Sequence, residues 1–146
     1  MIFIDTDIFV IDKLFPNDDR YEINKTFLNE AEEKTTSIFN LFELLGIASF
    51  NLNEVELTKL FKGFGDVYGV KILYPSTAFI SVNEFVGNLF EHVFQKITLK
   101  MGFQDALILT VAEEHLSSRF VTWNTKQFVD RTHVTVLTPK EFLENR

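Results

Sequence analysis

The sequence predicts an α/β fold with a central, mostly parallel β-sheet of about four or five short strands flanked by helices. Short apolar runs alternate with longer segments of helical periodicity along the 146 residues, and this alternation is typical of parallel sheets. No Gly-, Ser- or Pro-rich segment divides the chain, so we expect a single domain over residues 1–146. With 46% hydrophobic and 24% charged residues and no cysteine, the composition is that of a globular domain without a disulfide framework.

The first half of the chain predicts two strands and four helices. Residues 2–4 are an apolar run that predicts a buried strand, and residues 6–15 predict a helix that Pro16 ends. Residues 17–19 form a turn that supplies capping side chains for a polar helix over 20–33. The remaining elements of this half are a short strand at 35–37, an apolar helix at 38–50, and a helix at 54–64 that Gly63 and Gly65 close.

The second half predicts three strands and three helices. A β-branched and aromatic strand at 70–74 ends at Pro75. A long helix over 76–97 carries an apolar stripe at helical spacing, formed by Phe79, Val82, Val86, Leu89, Val93 and Ile97. This stripe is either core or a surface for another protein chain. The last elements are a helix at 102–116 that is apolar nearly all round, strands at 119–123 and 134–137, and a short helix after Thr138-Pro139 that runs to 143.

Charge and hydropathy narrow the class of protein. The formal net charge of −7 argues against broad electrostatic binding of nucleic acid, although it permits a local basic rim around an acidic centre. No segment reaches the ~18 apolar residues of a membrane helix, and the apolar N-terminus lacks the basic region of a signal peptide. We therefore expect a cytoplasmic protein that does not associate with membranes.

Four acidic side chains interrupt apolar stretches. Asp5 closes the first predicted strand, where no helix cap explains it, and Asp7 follows two residues later. Glu43 is the only charge in the helix over 38–50, and Asp105 opens the apolar helix over 102–116. Each of the last three has a structural explanation of its own, because Asp7 and Asp105 can cap helices and Glu43 can be partly exposed.

Taken together, these acids indicate a metal site. In parallel α/β sheets, sites form at the carboxyl ends of the strands, where Asp5 and also Asn124 fall. Carboxylates that converge repel one another unless a cation lies between them. A hard divalent cation such as Mg²⁺ prefers oxygen ligands and keeps several waters. Such a site suits phosphate chemistry.

The order of these motifs resembles the PIN-domain ribonucleases, and most of all the single-domain VapC-type toxins of toxin–antitoxin pairs. The resemblance covers essentially the whole chain. It rests on an apolar strand followed by Asp5-Thr6-Asp7, Glu43 in an apolar helix, the DALI segment that begins at Asp105, VTWNTKQF at 121–128 and VLTPKEFL at 136–143.

The resemblance implies a metal-dependent endoribonuclease that uses Mg²⁺ or Mn²⁺ and leaves a 5′-phosphate and a 3′-hydroxyl. It assigns the metal ligands to Asp5, Glu43 and Asp105, places Asn124 with them as a catalytic residue, and gives supporting roles to Thr6, Asp7 and Thr122. It also implies an RNA substrate, a cognate antitoxin protein and a homodimer.

The chain departs from the family pattern at two positions. A fourth acid is expected near the end of the VTWNTKQF segment, but both available positions are neutral amides, Asn124 and Gln127. An amide can bind a metal-bound water or a phosphate oxygen, because it both donates and accepts hydrogen bonds. It adds no negative charge, so we expect a second metal position to be weak.

Two other functions fit parts of the sequence. Asp5 and Asp7 match the nucleophile and general acid of a haloacid-dehalogenase-like phosphatase, but Phe9 stands where such enzymes need a hydroxyl residue. The missing fourth acid also fits a PIN-like module that binds RNA or protein without catalysis.

Several aromatic, histidine and basic residues are further candidates for contacts with RNA or metal. Trp123 and Phe128 flank the predicted site and could stack on a base, although packing in the core explains both. The three histidines have no metal-ligand spacing. The candidates for guiding RNA phosphates are Lys96, Lys100, Lys126 and Arg131.

Overall fold

A computed structural model describes residues 1–78 and 81–145 of the chain. Its centre is a parallel sheet of five strands: β1 (Ile2–Ile4), β2 (Lys34–Ser37), β3 (Lys71–Leu73), β4 (Arg119–Val121) and β5 (Thr135–Leu137). They lie in the order β3-β2-β1-β4-β5. Strand β1 is central, and Phe3 pairs with Thr35 of β2 on one side and with Phe120 of β4 on the other. The predicted parallel α/β fold is confirmed.

Within the described residues, seven α-helices surround the sheet: α1 (Thr6–Leu14), α2 (Tyr21–Glu30), α3 (Ile38–Ala48), α4 (Glu54–Tyr68), α5 (Val82–Thr98), α6 (Phe103–Glu114) and α7 (Pro139–Glu144). Because side chains alternate along a strand, Ile2 and Ile4 pack with α1, α2, α4 and α7, whereas Phe3 packs with α5 and α6. These two clusters form the core on the two faces of the sheet. Helix α6 is buried along most of its length, as its sequence predicts.

Helix α2 differs from the prediction at both ends. It begins at Tyr21 after Arg20, which makes no side-chain capping bond, and Asp18 accepts hydrogen bonds from the guanidinium of Arg20 instead of capping the helix. The helix ends at Glu30, three residues earlier than expected, because the chain turns through Glu33, at φ +50°, into β2.

Helix α4 shows that the predicted end at Gly63 and Gly65 was wrong. The helix continues through both glycines and ends at Tyr68. Gly69 follows with φ of +57°, the left-handed conformation in which helices often end and which glycine adopts without a steric penalty. Helical packing around Phe64, which is 1% exposed, outweighs the low helix propensity of the two internal glycines.

Alanine substitutions are expected to have opposite effects on stability at Gly63, inside α4, and at Gly69, which follows the end of α4. Gly69→Ala should lower the free energy of unfolding by about 1 kcal/mol, because a Cβ is strained at positive φ. Gly63→Ala should raise it by about 0.5 to 1 kcal/mol, because its Cβ would meet only Val67 at an ordinary 3.9 Å. Urea denaturation of both variants tests this pair, and a gain in stability for Gly69→Ala would contradict it.

Helix α5 begins at Val82, six residues after the predicted start, where Ser81 and Glu84 form a capping box. Phe79 of the predicted stripe lies outside the described residues. Val93 is buried, but other apolar side chains of this helix face outward, with Phe90 58% and Phe94 61% exposed. This face of α5 is therefore only partly core.

None of the helices in residues 1–78 and 81–145 combines the length and the hydropathy required to cross a membrane.

Candidate active site

Asp5 lies at the carboxyl end of the central strand, buried and 7% exposed. It is the N-cap residue of α1, so the expectation that no helix cap explains it was wrong. Its Oδ1 accepts hydrogen bonds from the Thr6 amide at 2.8 Å and the Asn40 amide at 3.2 Å, and its Oδ2 accepts from the Thr122 hydroxyl at 2.8 Å. Burial, and then the charge of Asp7, raise the pKa of Asp5 well above its usual range.

Asp7 lies in the first turn of α1 and does not cap it. Its Oδ2 accepts hydrogen bonds from the Trp123 amide at 2.8 Å and the Thr122 hydroxyl at 3.1 Å. Burial raises the pKa of Asp7 to about 6 despite these bonds. Its Oδ1 is buried and has no hydrogen-bond partner within the described residues. Such an oxygen has lone pairs that can accept a proton or bind a cation.

One hydroxyl serves both aspartates. Thr122 follows β4, next to β1, and its Oγ1 lies within hydrogen-bond distance of Asp5 and of Asp7. A hydroxyl has a single proton to donate, so at any moment only one of the two carboxylates receives it. The Thr122 oxygen in turn accepts a hydrogen bond from the backbone amide of Asn124 at 3.0 Å.

Glu43 reaches the same region from α3. It is partly buried, and one of its oxygens accepts a short hydrogen bond from the Thr6 hydroxyl. Burial is the main cause that raises the pKa of Glu43, and the charge of Asp105 raises it further. Helix α3 begins at Ile38, directly after β2, and β2 pairs with β1. Glu43 and Asp5 are therefore carried by helices that follow adjacent strands.

Asp105 lies in the first turn of α6, where capping was the main alternative explanation. The N-cap residue of α6 is Gly102, and no side chain caps this helix. Burial raises the pKa of Asp105, and the positive charge of Arg131 counteracts the rise. The charge of Asp105 also contributes to the raised pKa of Glu43, and the charge of Glu43 contributes to the raised pKa of Asp5.

Asn124 and Gln127 follow β4 on the same edge of the sheet. The side chain of Asn124 is exposed, and its amide makes no hydrogen bond with the residues that the structure describes. The backbone carbonyl of Asn124 accepts a hydrogen bond from the backbone N–H of Gln127 at 3.1 Å. Asn124 is thus open to solvent beside Thr122, as a group that contacts a bound molecule has to be.

The donor chemistry of the site suits a hard divalent cation. All its acids offer oxygen, and each of the four has a raised pKa, so burial and mutual repulsion disfavour their ionised forms until a cation binds. No group of three acidic or imidazole side chains within the described residues encloses a metal position on its own. The arrangement fits Mg²⁺, which takes one or two carboxylates directly and keeps waters for the rest.

The structure changes the roles predicted for several basic and aromatic residues. Lys96 is 9% exposed and forms a 2.7 Å ion pair with Glu113, so it is not available to RNA. Arg131 donates hydrogen bonds to backbone carbonyls, including that of Gln127 at 2.7 Å. Phe128 is 1% exposed in the core and has no face free for a base.

Trp123 is held in place by its neighbours. Its indole N–H donates to Asn24 at 2.9 Å, and the guanidinium of Arg20 lies 5.7 Å from its ring centroid.

The phosphatase alternative also loses support, because Phe9, at the position of the required hydroxyl, is 0% exposed inside the core.

Asn40 is a further residue of the site that the sequence did not reveal. Its side chain is fully buried and contacts both Asp5 and Thr6. A signal was present, because Ser37 and Asn40 have the spacing of a capping box before an apolar helix. That pattern predicts only a helix start, and the contacts with the acids depend on the pairing of β1 with β2.

Comparison with known proteins places the fold. No protein-family model and no curated protein matches the chain. Among solved structures, VapBC-1 from nontypeable Haemophilus influenzae matches with a TM-score of 0.66 and 19% identity, over 96% of this chain and 99% of that chain. The chain has the PIN-domain fold.

Other structures with the PIN-domain fold match over similar lengths. A toxin–antitoxin complex from Klebsiella pneumoniae has a TM-score of 0.63 and 20% identity, over 95% of this chain and 98% of that one. VapC20 from Mycobacterium tuberculosis, a toxin that cleaves the sarcin–ricin loop, has a TM-score of 0.60 and 14% identity, over 82% and 87%. The predicted resemblance to VapC-type PIN-domain toxins is thus confirmed at the level of the fold.

Proposed function

We propose that the protein is a Mg²⁺- or Mn²⁺-dependent endoribonuclease and the toxin component of a type II toxin–antitoxin pair. The observation that carries this proposal is the meeting of acids at the carboxyl edge of a PIN-domain sheet. The amide and the hydroxyl of Thr6 bind Asp5 and Glu43, and the hydroxyl of Thr122 lies within hydrogen-bond distance of Asp5 and Asp7. The matching structures include a toxin that cleaves RNA and a toxin–antitoxin complex.

The residues of the site have separate roles in this proposal. Asp5, Glu43 and Asp105 would hold the cation, one or two of them directly and the rest through its waters. A bound cation would supply an acidified water and offset charge on the phosphate. The hydroxyls of Thr6 and Thr122 orient Glu43 and Asp5 by donating hydrogen bonds to them. Asp7 attracts the cation from the edge of the site.

Asn124 is an exposed residue of the site, and its side-chain amide faces solvent. Its amide N–H groups point to no partner among the described residues and can donate to a phosphate oxygen. Since an amide carries no charge, Asn124 adds nothing to the binding of a second cation, and we expect one cation to be held tightly.

Cleavage of a structured RNA by the purified protein tests the proposal. We expect cleavage with Mg²⁺ or Mn²⁺, loss of cleavage in EDTA, and loss in Asp5→Ala. Asp66→Ala is the matched control, because Asp66 is an exposed acid on α4 outside the site, and it should retain wild-type activity. Cleavage that persists in EDTA or in Asp5→Ala would overturn the proposal.

A binding module without catalysis is the second candidate, favoured by the neutral side chains of Asn124 and Gln127. The same preparation separates the two functions. Retention of RNA without cleavage in either metal would favour the module.

The proposed partners are a cognate antitoxin and a second copy of the chain, and the proposed location is the cytoplasm. Exposed apolar side chains on α5, among them Phe90 and Phe94, offer a surface for such contacts. We expect the reading frame next to this one to encode a small protein that forms a complex with the chain when both are expressed together, as size-exclusion chromatography would show.

A further inference from the structure

Asn40 lies one helical turn before Glu43 on α3, and its side chain is 0% exposed. All four hydrogen-bonding positions of its amide are used. The carbonyl oxygen accepts from the amide and the hydroxyl of Ser37, and the NH₂ group donates to Oδ1 of Asp5 at 3.2 Å and to Oγ1 of Thr6 at 2.9 Å. Asn40 therefore joins the start of α3 to the start of α1.

The orientation of this amide is fixed by its surroundings. The backbone N–H of Ser37 can only donate, and it lies 3.1 Å from Oδ1 of Asn40, so that atom is the oxygen. The NH₂ group then necessarily faces Asp5 and Thr6. Since the carboxylate of Asp5 can only accept while ionised, both ends of the amide agree with one orientation.

This orientation determines which way the Thr6 hydroxyl points. Oγ1 of Thr6 accepts a hydrogen bond from Asn40, so its single proton goes to Glu43. The donors run in one direction, from Asn40 through Thr6 to the carboxylate of Glu43, and bonds in such a chain polarise one another. A parallel bond from the same NH₂ group reaches Asp5.

We propose that Asn40 is a positioning residue that holds the carboxylates of Asp5 and Glu43 in the relative geometry needed to bind one divalent cation. This inference rests on the proposed function and deepens it. Asn40 itself does not contact the cation, because both its N–H groups are already donated to Asp5 and Thr6. It acts on Asp5 directly and on Glu43 through Thr6.

Removal of the Asn40 side chain, which contacts the proposed metal ligand Asp5 and not the cation, is expected to lower the affinity of the site for metal. Groups that orient metal ligands typically contribute a factor of about 10 to 100 in metal affinity. Without Asn40, Oδ1 of Asp5 keeps only the bond from the Thr6 amide, and the hydroxyl of Thr6 is free to rotate away from Glu43. We expect the affinity for Mn²⁺ to fall at least about 10-fold.

The test measures Mn²⁺ binding by the loss of the free-ion signal in electron paramagnetic resonance, so it does not depend on activity. The variants are Asn40→Ala and the shape-filling Asn40→Leu, each checked for folding by circular dichroism. Ser37→Ala is the matched control, because it removes the hydroxyl that caps α3 and leaves the donors to Asp5 and Thr6 in place. We expect Ser37→Ala to bind Mn²⁺ within threefold of the wild-type affinity.

A second measurement separates positioning from general damage. The Mg²⁺ concentration that gives half-maximal RNA cleavage should rise about 10-fold in the Asn40 variants, with most of the rate recovered at saturating Mg²⁺. A structural defect would instead lower the rate at every concentration of Mg²⁺.

The outcomes distinguish this inference from the proposed function. Equal Mn²⁺ affinity in wild type and a folded Asn40 variant overturns the role of Asn40 alone, as does an equal loss in Ser37→Ala. If both Asn40 variants fail to fold while Ser37→Ala folds, Asn40 is structural and the inference fails. A wild-type protein that binds no Mn²⁺ contradicts the proposed function itself.

Discussion

Asp5→Asn is expected to abolish metal-dependent cleavage and to make the metal-free protein more stable. Asparagine has the shape of aspartate but no charge, so it removes a proposed metal ligand and also the cost of a buried carboxylate. We expect activity to fall about 10³-fold, which corresponds to about 4 kcal/mol. At pH 8 in EDTA we expect a gain of about 2 kcal/mol in unfolding free energy, or about 4 to 8 °C in melting temperature.

The hydrogen bonds around Asp5 explain why we expect the fold to tolerate an asparagine at this position. The oxygen of an asparagine can still accept from the amides of Thr6 and Asn40, and its NH₂ group can donate to Oγ1 of Thr122. Thr122 then gives its proton to Asp7, so the single hydroxyl no longer has to serve two carboxylates. A gain in stability with loss of activity is the pattern of a site that is strained for function.

Calorimetry and RNA cleavage on the same samples test both parts. Asp66→Asn, an exposed acid on α4, is the control and should change neither quantity. A lower melting temperature for Asp5→Asn in EDTA would show that the carboxylate stabilises the fold without metal and would contradict the prediction.

The metal-free protein is expected to lose stability as the pH rises from about 4 to about 7. Burial raises the pKa of Asp7 to about 6, against ~3.9 in an unfolded chain. Between these values the folded state binds more protons than the unfolded state, so unfolding becomes easier as the pH rises through the folded pKa. The raised pKa values of Asp5, Glu43 and Asp105 act in the same direction.

Mg²⁺ should reverse this dependence. Under the proposed function, the cation would bind the ionised carboxylates in competition with protons, so it should raise the unfolding midpoint more at pH 7.5 than at pH 5. Urea denaturation across this range, in EDTA and in Mg²⁺, checks both effects, and Asp7→Asn should flatten the profile in EDTA. The lowered pKa of Asp18, about 2, acts below this window. Stability that rises between pH 5 and 7 in EDTA would contradict the prediction.

The order and type of the elements were predictable from the sequence, because apolar runs such as residues 2–4 and the buried periodicity of α6 are local signals. Their ends were less predictable. A glycine signals a helix end only when the backbone turns left-handed, and the sequence cannot distinguish Gly69, which does so, from Gly63, which does not. The start of α5 at Val82 depends on the capping box of Ser81 and Glu84, and the sequence alone did not distinguish this start from one at Ser76.

The candidate acids were identifiable because a charge in an apolar stretch has to be explained. The sequence did not show how Asp5, Asp7 and Thr122 share one proton, since that depends on the pairing of β1 with β4. It also misjudged Lys96 as a surface charge, because its partner Glu113 comes from another helix. Contacts between elements, rather than patterns within them, decide these roles.

The central position of β1 has a consequence for how the protein is made. Asp5 is translated 117 residues before Thr122, whose hydroxyl donates a hydrogen bond to its carboxylate. At ~5–20 residues per second, about 6 to 23 seconds pass between the translation of β1 and the translation of its neighbour β4. During that time a nascent chain carries Asp5 without the hydrogen bond from Thr122. Under the proposed function, the site that would cleave RNA is therefore assembled only after β4 has been translated.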